Sequence, residues 1–185
     1  MKSLVVLLVV LAACGDNIPS PLTYKDPAPT GKLRLVRNAS STADSMVLDL
    51  VVGKQPLTGY SVGFDLPLDD TRVHLGTFTP GTVLDPGPAP VAAMAALPGD
   101  GPLAHMLVTA QSQKATAHDA DATLQPGTVV YTITLDLVPH APKGVVFDGT
   151  ASGFILPSGG MRDRAGNAAV EPADVAIGRL AVNRD

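Results

Sequence analysis

Along residues 128–138, apolar and polar side chains take turns. Tyr131, Ile133, Leu135 and Leu137 fall in one set, Thr132, Thr134 and Asp136 in the other. A period of two, carried by β-branched and aromatic residues, specifies a half-buried strand. Residues 45–52 repeat the pattern, with Met46, Leu48, Leu50 and Val52 on one side and Asp49 on the other. Residues 58–66 do so again: Tyr60, Val62, Phe64 and Leu66 alternate with Ser61, Gly63 and Asp65. Shorter strands are expected at 32–37, 72–75, 103–110, 145–147, 152–156 and 176–183. Turn chemistry separates them, as Pro80-Gly81, Asp85-Pro86-Gly87-Pro88, Pro98-Gly99-Asp100-Gly101-Pro102 and Pro126-Gly127. Only the Ala-rich stretch 91–97 has the composition for a helical turn, and prolines on both sides keep it short. Eight or nine short strands with Gly/Pro turns predict an all-β fold, an antiparallel β-sandwich.

The N-terminal pattern is different. Met1 and Lys2 precede an unbroken apolar run over residues 4–11, followed by Leu11-Ala12-Ala13-Cys14-Gly15. The run is far shorter than the roughly 20 residues a membrane-spanning helix needs, and it has the form of a signal-peptide core. Small residues directly before a cysteine resemble the bacterial lipobox, in which the cysteine becomes an acylated N-terminus. That resemblance implies cleavage after residue 13, a diacylglyceryl thioether on Cys14 and usually a third acyl chain (a palmitate-type anchor). Two or more chains give stable membrane anchoring where one does not. Pro19, Pro21, Pro27 and Pro29 then punctuate residues 14–30. Proline disfavours both helix and sheet ladder, so this stretch is expected to be a semi-extended tether, with the folded domain at 31–185.

Composition narrows the function. The formal charge is −4, with 13 basic and 17 acidic side chains and no basic run. Phosphate-backbone affinity rests on clustered Lys and Arg, so a nucleic-acid partner is not expected. One cysteine excludes an internal disulfide and a multi-cysteine metal site. His74, His105, His118 and His140 show no zinc-type spacing. Glu171 is the only glutamate. Nothing marks the pair of positioned carboxylates a glycosidase needs, so no enzyme activity and no cofactor are expected. Weak calcium ligands are Asp69 and Asp70 after one strand, and Asp163 and Asn167 in Asp163-Arg164-Ala165-Gly166-Asn167. Each set also reads as a turn closed by an Asp side chain, and calcium wants six to eight oxygens. His118-Asp119-Ala120-Asp121 reads as either a partial metal cluster or a solvated loop.

The order of segments carries a resemblance. Gly59-Tyr60-Ser61-Val62-Gly63-Phe64-Asp65-Leu66-Pro67-Leu68-Asp69, followed by Arg72-Val73-His74-Leu75-Gly76 and Gly81-Thr82-Val83-Leu84, resembles the opening of a cohesin domain. Gly101-Pro102-Leu103-Ala104-His105-Met106-Leu107-Val108 and Gly127-Thr128-Val129-Val130-Tyr131 are similar to its middle strands. Asp163-Arg164-Ala165-Gly166-Asn167 with Gly178-Arg179-Leu180-Ala181-Val182 resembles its close. The resemblance implies a jelly-roll sandwich, related in shape to several carbohydrate-binding modules, that binds rather than catalyses. Cohesins bind dockerins through one sheet face; this chain has no dockerin-type calcium repeat of its own. The expectation is a lipid-anchored, extracytoplasmic protein of the bacterial cell envelope, at the outer membrane or cell surface, serving as a protein-interaction, scaffolding or adhesion module. The alternatives are a carbohydrate-binding module on the same fold and a structural envelope lipoprotein. An aromatic platform for stacking sugars is hard to assemble from 3 Tyr and 4 Phe, because Tyr60, Phe64 and Tyr131 read as core.

Overall fold

A computed structural model describes residues 21–85, 91–98, 105–114, 117–156 and 158–183. Fifteen strands and one 3-10 turn make up the regular structure of these residues, so the chain is all-β. The lipobox-like segment, Cys14 included, lies outside the described residues.

Two five-stranded sheets face each other. In the first, β2 (Leu33–Arg37), β3 (Ser45–Val52), β6 (Val73–Pro80), β10 (Val129–Leu137) and β14 (Val175–Ala176) lie in the order β14-β2-β3-β10-β6. In the second, β5 (Ser61–Leu68), β7 (Val91–Pro98), β8 (His105–Ser112), β12 (Ser158–Arg162) and β13 (Ala168–Val170) lie in the order β13-β12-β5-β8-β7. Every pairing is antiparallel except β14 on β2. The alternation read from the sequence is the reason for the layering. Leu33, Leu35, Met46, Leu48, Leu50, Tyr131, Ile133 and Leu135 are fully buried from one sheet, and Phe64, Leu66, Leu68 and Leu107 from the other. A pleated strand sends alternate side chains to opposite faces, so each five-stranded sheet has one dry inner face and one outer face.

A smaller sheet closes one side. It consists of β1 (Leu22–Lys25), β15 (Arg179–Val182) and β11 (Gly144–Asp148), in the order β1-β15-β11. The final segment of the chain therefore serves two sheets, running parallel to β2 as β14 and then antiparallel to β1 and β11 as β15. A two-strand ribbon pairs β4 (Leu57–Gly59) with β9 (Ala122–Leu124).

Four expectations are corrected. Residues 22–25 are not tether but strand, pairing Leu22 with Val182 through Lys25 with Arg179. Pro21 and Pro27 flank this strand rather than interrupt it, and Leu22 and Tyr24 alternate inward in the usual way. Residues ahead of the expected boundary at 31 are thus part of the described fold. The Ala-rich stretch 91–97 is strand, not helical turn, because eight consecutive residues of β7 pair with β8. The expected strand at 152–156 is loop, and β12 lies just beyond it at Ser158–Arg162. Tyr60 is not core: it stands half-buried at the break between β4 and β5, its ring 6.0 Å from the Arg164 guanidinium.

Candidate functional site

The two outer faces differ in chemistry. On the β3-β10-β6 side, polar side chains satisfy one another. The Asn38 amide donates to Asp49 at 2.7 Å, and the Thr132 hydroxyl donates to the other oxygen of the same carboxylate at 2.6 Å. Ser45 donates to Asp136 at 2.6 Å, and the Thr77 and Thr134 hydroxyls meet at 3.0 Å. Groups already paired across a sheet offer a visitor little unless those bonds are first broken.

The outer face of β12-β5-β8-β7 is built from small and aliphatic residues. Strand register lines up Gly160, Gly63, Ala110 and Ala93 across four strands. Arg162, Ser61, Ser112 and Val91 form the row on one side, and Ser158, Asp65, Val108 and Ala95 the row on the other. The missing side chains of the central row leave a shallow trough of about 400 Å³. Two of its positions must be glycine: a Cβ on Gly63 would strike the Thr109 carbonyl, and one on Gly160 the Val170 carbonyl. Gly160 also adopts φ +108, a region that side chains disfavour. The charges, Asp65 and Arg162, stand at opposite margins, and the Asp65 carboxylate accepts from Ser158 at 2.6 Å. Such a surface can seat a close-packed apolar partner ringed by a few polar contacts.

Beneath the trough the two sheets are joined. Thr109, on the inner side of β8, has its hydroxyl 2.8 Å from that of Tyr131 on the opposite sheet. The Phe78 and Tyr131 rings pack with centroids 5.0 Å apart. Burial pushes the Tyr131 phenol well above its ordinary pKa, against the smaller opposing pull of its Thr109 hydrogen bond.

The calcium-type residues occupy two separate turns. Asp69 follows the last residue of β5; it accepts the Thr71 backbone N–H at 3.1 Å and the Thr71 hydroxyl, and pairs with Arg72. Asp70 lies 2.8 Å from Nδ1 of His105. Asp163 and Asn167 sit beyond the other end of β5, because Arg162 pairs with Ser61. Eight residues of strand put roughly 23 Å between the two turns. One carboxylate oxygen of Asp163 accepts the Asn167 N–H at 2.8 Å and the other its side-chain amide at 2.9 Å. Those Asn167 bonds, side chain first, hold the Asp163 carboxyl below the ordinary aspartate range. His118 faces buried Asp85 at 3.6 Å, while Asp121 accepts the Arg164 N–H at 2.8 Å. Among the described residues no three His, Cys, Asp or Glu gather as a metal site, and no helix is long and apolar enough to cross a membrane.

All seven aromatic rings are turned away from solvent to some degree. Tyr24, Phe64, Tyr131 and Phe147 are buried, Phe78 and Phe154 pack on the core, and Tyr60 is half-buried. The trough was not legible as a site beforehand, because two of its four strands, β7 and β12, were misread. The available signal was glycine at 63 on the polar side of an otherwise regular strand. The fold and this face define an all-β, sandwich-like protein with one self-satisfied and one open sheet surface. Comparison with protein-family models, curated proteins and solved structures gives no match to this chain.

Proposed function

We propose that this chain is a lipid-anchored, extracytoplasmic protein of the bacterial envelope whose cohesin-like jelly-roll domain docks a protein partner on the outer face of β12-β5-β8-β7. The observation that carries the reading is the contrast between the two outer sheet faces. One closes its hydroxyls and carboxylates on each other; the other presents Gly63, Ala110, Ala93 and Val108 around a shallow trough. Desolvating small aliphatic groups is favourable, and a flat surface with few charges suits a protein better than a polar ligand. A polysaccharide reading is weaker, since stacking sugars needs exposed rings and the rings here face the core. Acylation at Cys14 would supply the anchor. With β1 starting at Leu22, the domain would sit no more than roughly 30 Å from the acyl chains even if fully extended.

The test is a pair of matched substitutions in cells. Ala110→Arg fills the trough, whereas Thr77→Arg places the same charge on the opposite sheet. A protein that copurifies with the wild-type and Thr77→Arg chains but not with Ala110→Arg is the expected result. Equal recovery with both variants overturns the docking face. Detergent-phase partitioning of the wild type, lost in Cys14→Ser, tests the anchor separately.

A further inference from the structure

The strand β7 ends its sheet, and among the described residues it pairs with β8 alone. Other sheet edges are blunted. β13 and β14 are three and two residues long. The ladders of β6 and β11 carry register shifts, and β1 and β11 carry Lys25 and Asp148. β7 is eight residues of Val-Ala-Ala-Met-Ala-Ala-Leu-Pro, with no charge, no register shift and proline only at its last position. An uncharged, regular edge strand is a template for a further strand.

We infer that β7 pairs antiparallel with β7 of a second copy of this chain, about a two-fold axis midway between the two Met94 residues. The symmetry of the strand selects that occupant. Its two exposed large side chains, Val91 at 50% and Leu97 at 48% exposure, stand equally far from Met94 on either side. Two-fold pairing centred there sets Val91 against Leu97 of the partner, and Leu97 against its Val91. Alanines 93 and 95 then face each other between them. Directly opposed side chains on one face are the unit of sheet stabilisation, and an isologous contact repeats each such pair. Self-pairing also brings no charge against its like, although the chain as a whole carries −4. A different extended peptide would find on this strand no charge to select it. The axis stands perpendicular to the sheet, so both troughs face the same way on one continuous ten-stranded surface.

The test uses the full chain with Cys14→Ser in density-matched detergent. Sedimentation equilibrium should show mass rising from one chain to two with concentration, and Val91→Lys/Leu97→Lys should hold it at one. Register is read by oxidation, since an opposed pair brings Cα atoms within disulfide range. Chains carrying Ala93→Cys mixed with chains carrying Ala95→Cys should form a disulfide-linked heterodimer faster than either forms a homodimer. A chain that stays monomeric at every concentration, a dimer indifferent to the lysines, or oxidation without preference for the mixed pair would overturn the inference.

Discussion

The hydroxyl of Tyr131 on β10 meets the hydroxyl of Thr109 on β8 at 2.8 Å, in a fully buried contact that joins the two five-stranded sheets. Thr109 also reaches the Phe64 carbonyl at 3.3 Å. The polar link stands directly beneath Gly63 and Ala110, which floor the trough. Replacing one partner leaves the other buried and short of a bond, which costs about 1–3 kcal/mol. Tyr131→Phe and Thr109→Val should each destabilise within that range by chemical denaturation. The double variant should cost less than the two together, because it strands neither hydroxyl. Strict additivity would mean that the pair does not interact.

Tyr24 makes the N-terminal strand part of the fold. Its buried hydroxyl donates to the Leu35 carbonyl at 2.7 Å and accepts the Gly178 N–H at 2.8 Å, so one side chain ties β1 to β2 and to the segment between β14 and β15. Tyr24→Phe should lower stability by about 1–3 kcal/mol. A chain shortened to begin at residue 31 loses Leu22 and Tyr24 from the core and leaves the Gly178 N–H and Leu35 carbonyl without this partner. It should melt well below a chain that begins at residue 21; equal melting would return β1 to the tether.

The β12–β13 turn has a pH signature. The Asp163 carboxylate accepts two bonds from Asn167, and its pKa is thereby lowered. A folded-state value below the unfolded one means that the turn's contribution is present above the ordinary aspartate range and is lost as pH falls through the folded value. NMR titration should show Asp163 protonating at lower pH than an ordinary aspartate. Asn167→Ala should move it upward, since the side-chain bond is the largest cause. An unchanged titration in that variant would remove Asn167 as the cause.

Strands whose two faces differ in side-chain chemistry were legible, the short β2 and β11 included, and strands without that contrast were not. Over Tyr131 to Leu135 the polar positions alternate strictly with the apolar ones, so the inner and outer faces of β10 could be read from spacing alone. β7 failed because alanine at 92, 93, 95 and 96 has no contrast between faces and a high helix propensity; its strand state comes from pairing with β8, a tertiary effect. β12 failed because Ser158-Gly159-Gly160 has almost no side chains from which to read a period. Tyr24 was missed because prolines on both sides disguised four good strand residues. The trough inherits these failures: it is formed by what Gly160, Gly63, Ala110 and Ala93 lack, and absence of side chains becomes a feature only once register aligns them.

The docking face is tested most directly by a photoreactive benzoylphenylalanine placed in living cells at Ser158 on the margin of the trough, and separately at Thr77 on the opposite sheet. Ser158 and Thr77 are both exposed, so either site accepts the probe. Illumination should give one discrete, heavier polypeptide adduct from position 158 and none from position 77. Adducts of equal yield from both faces, or a protein adduct from position 77 alone, would contradict a protein-docking surface on β12-β5-β8-β7.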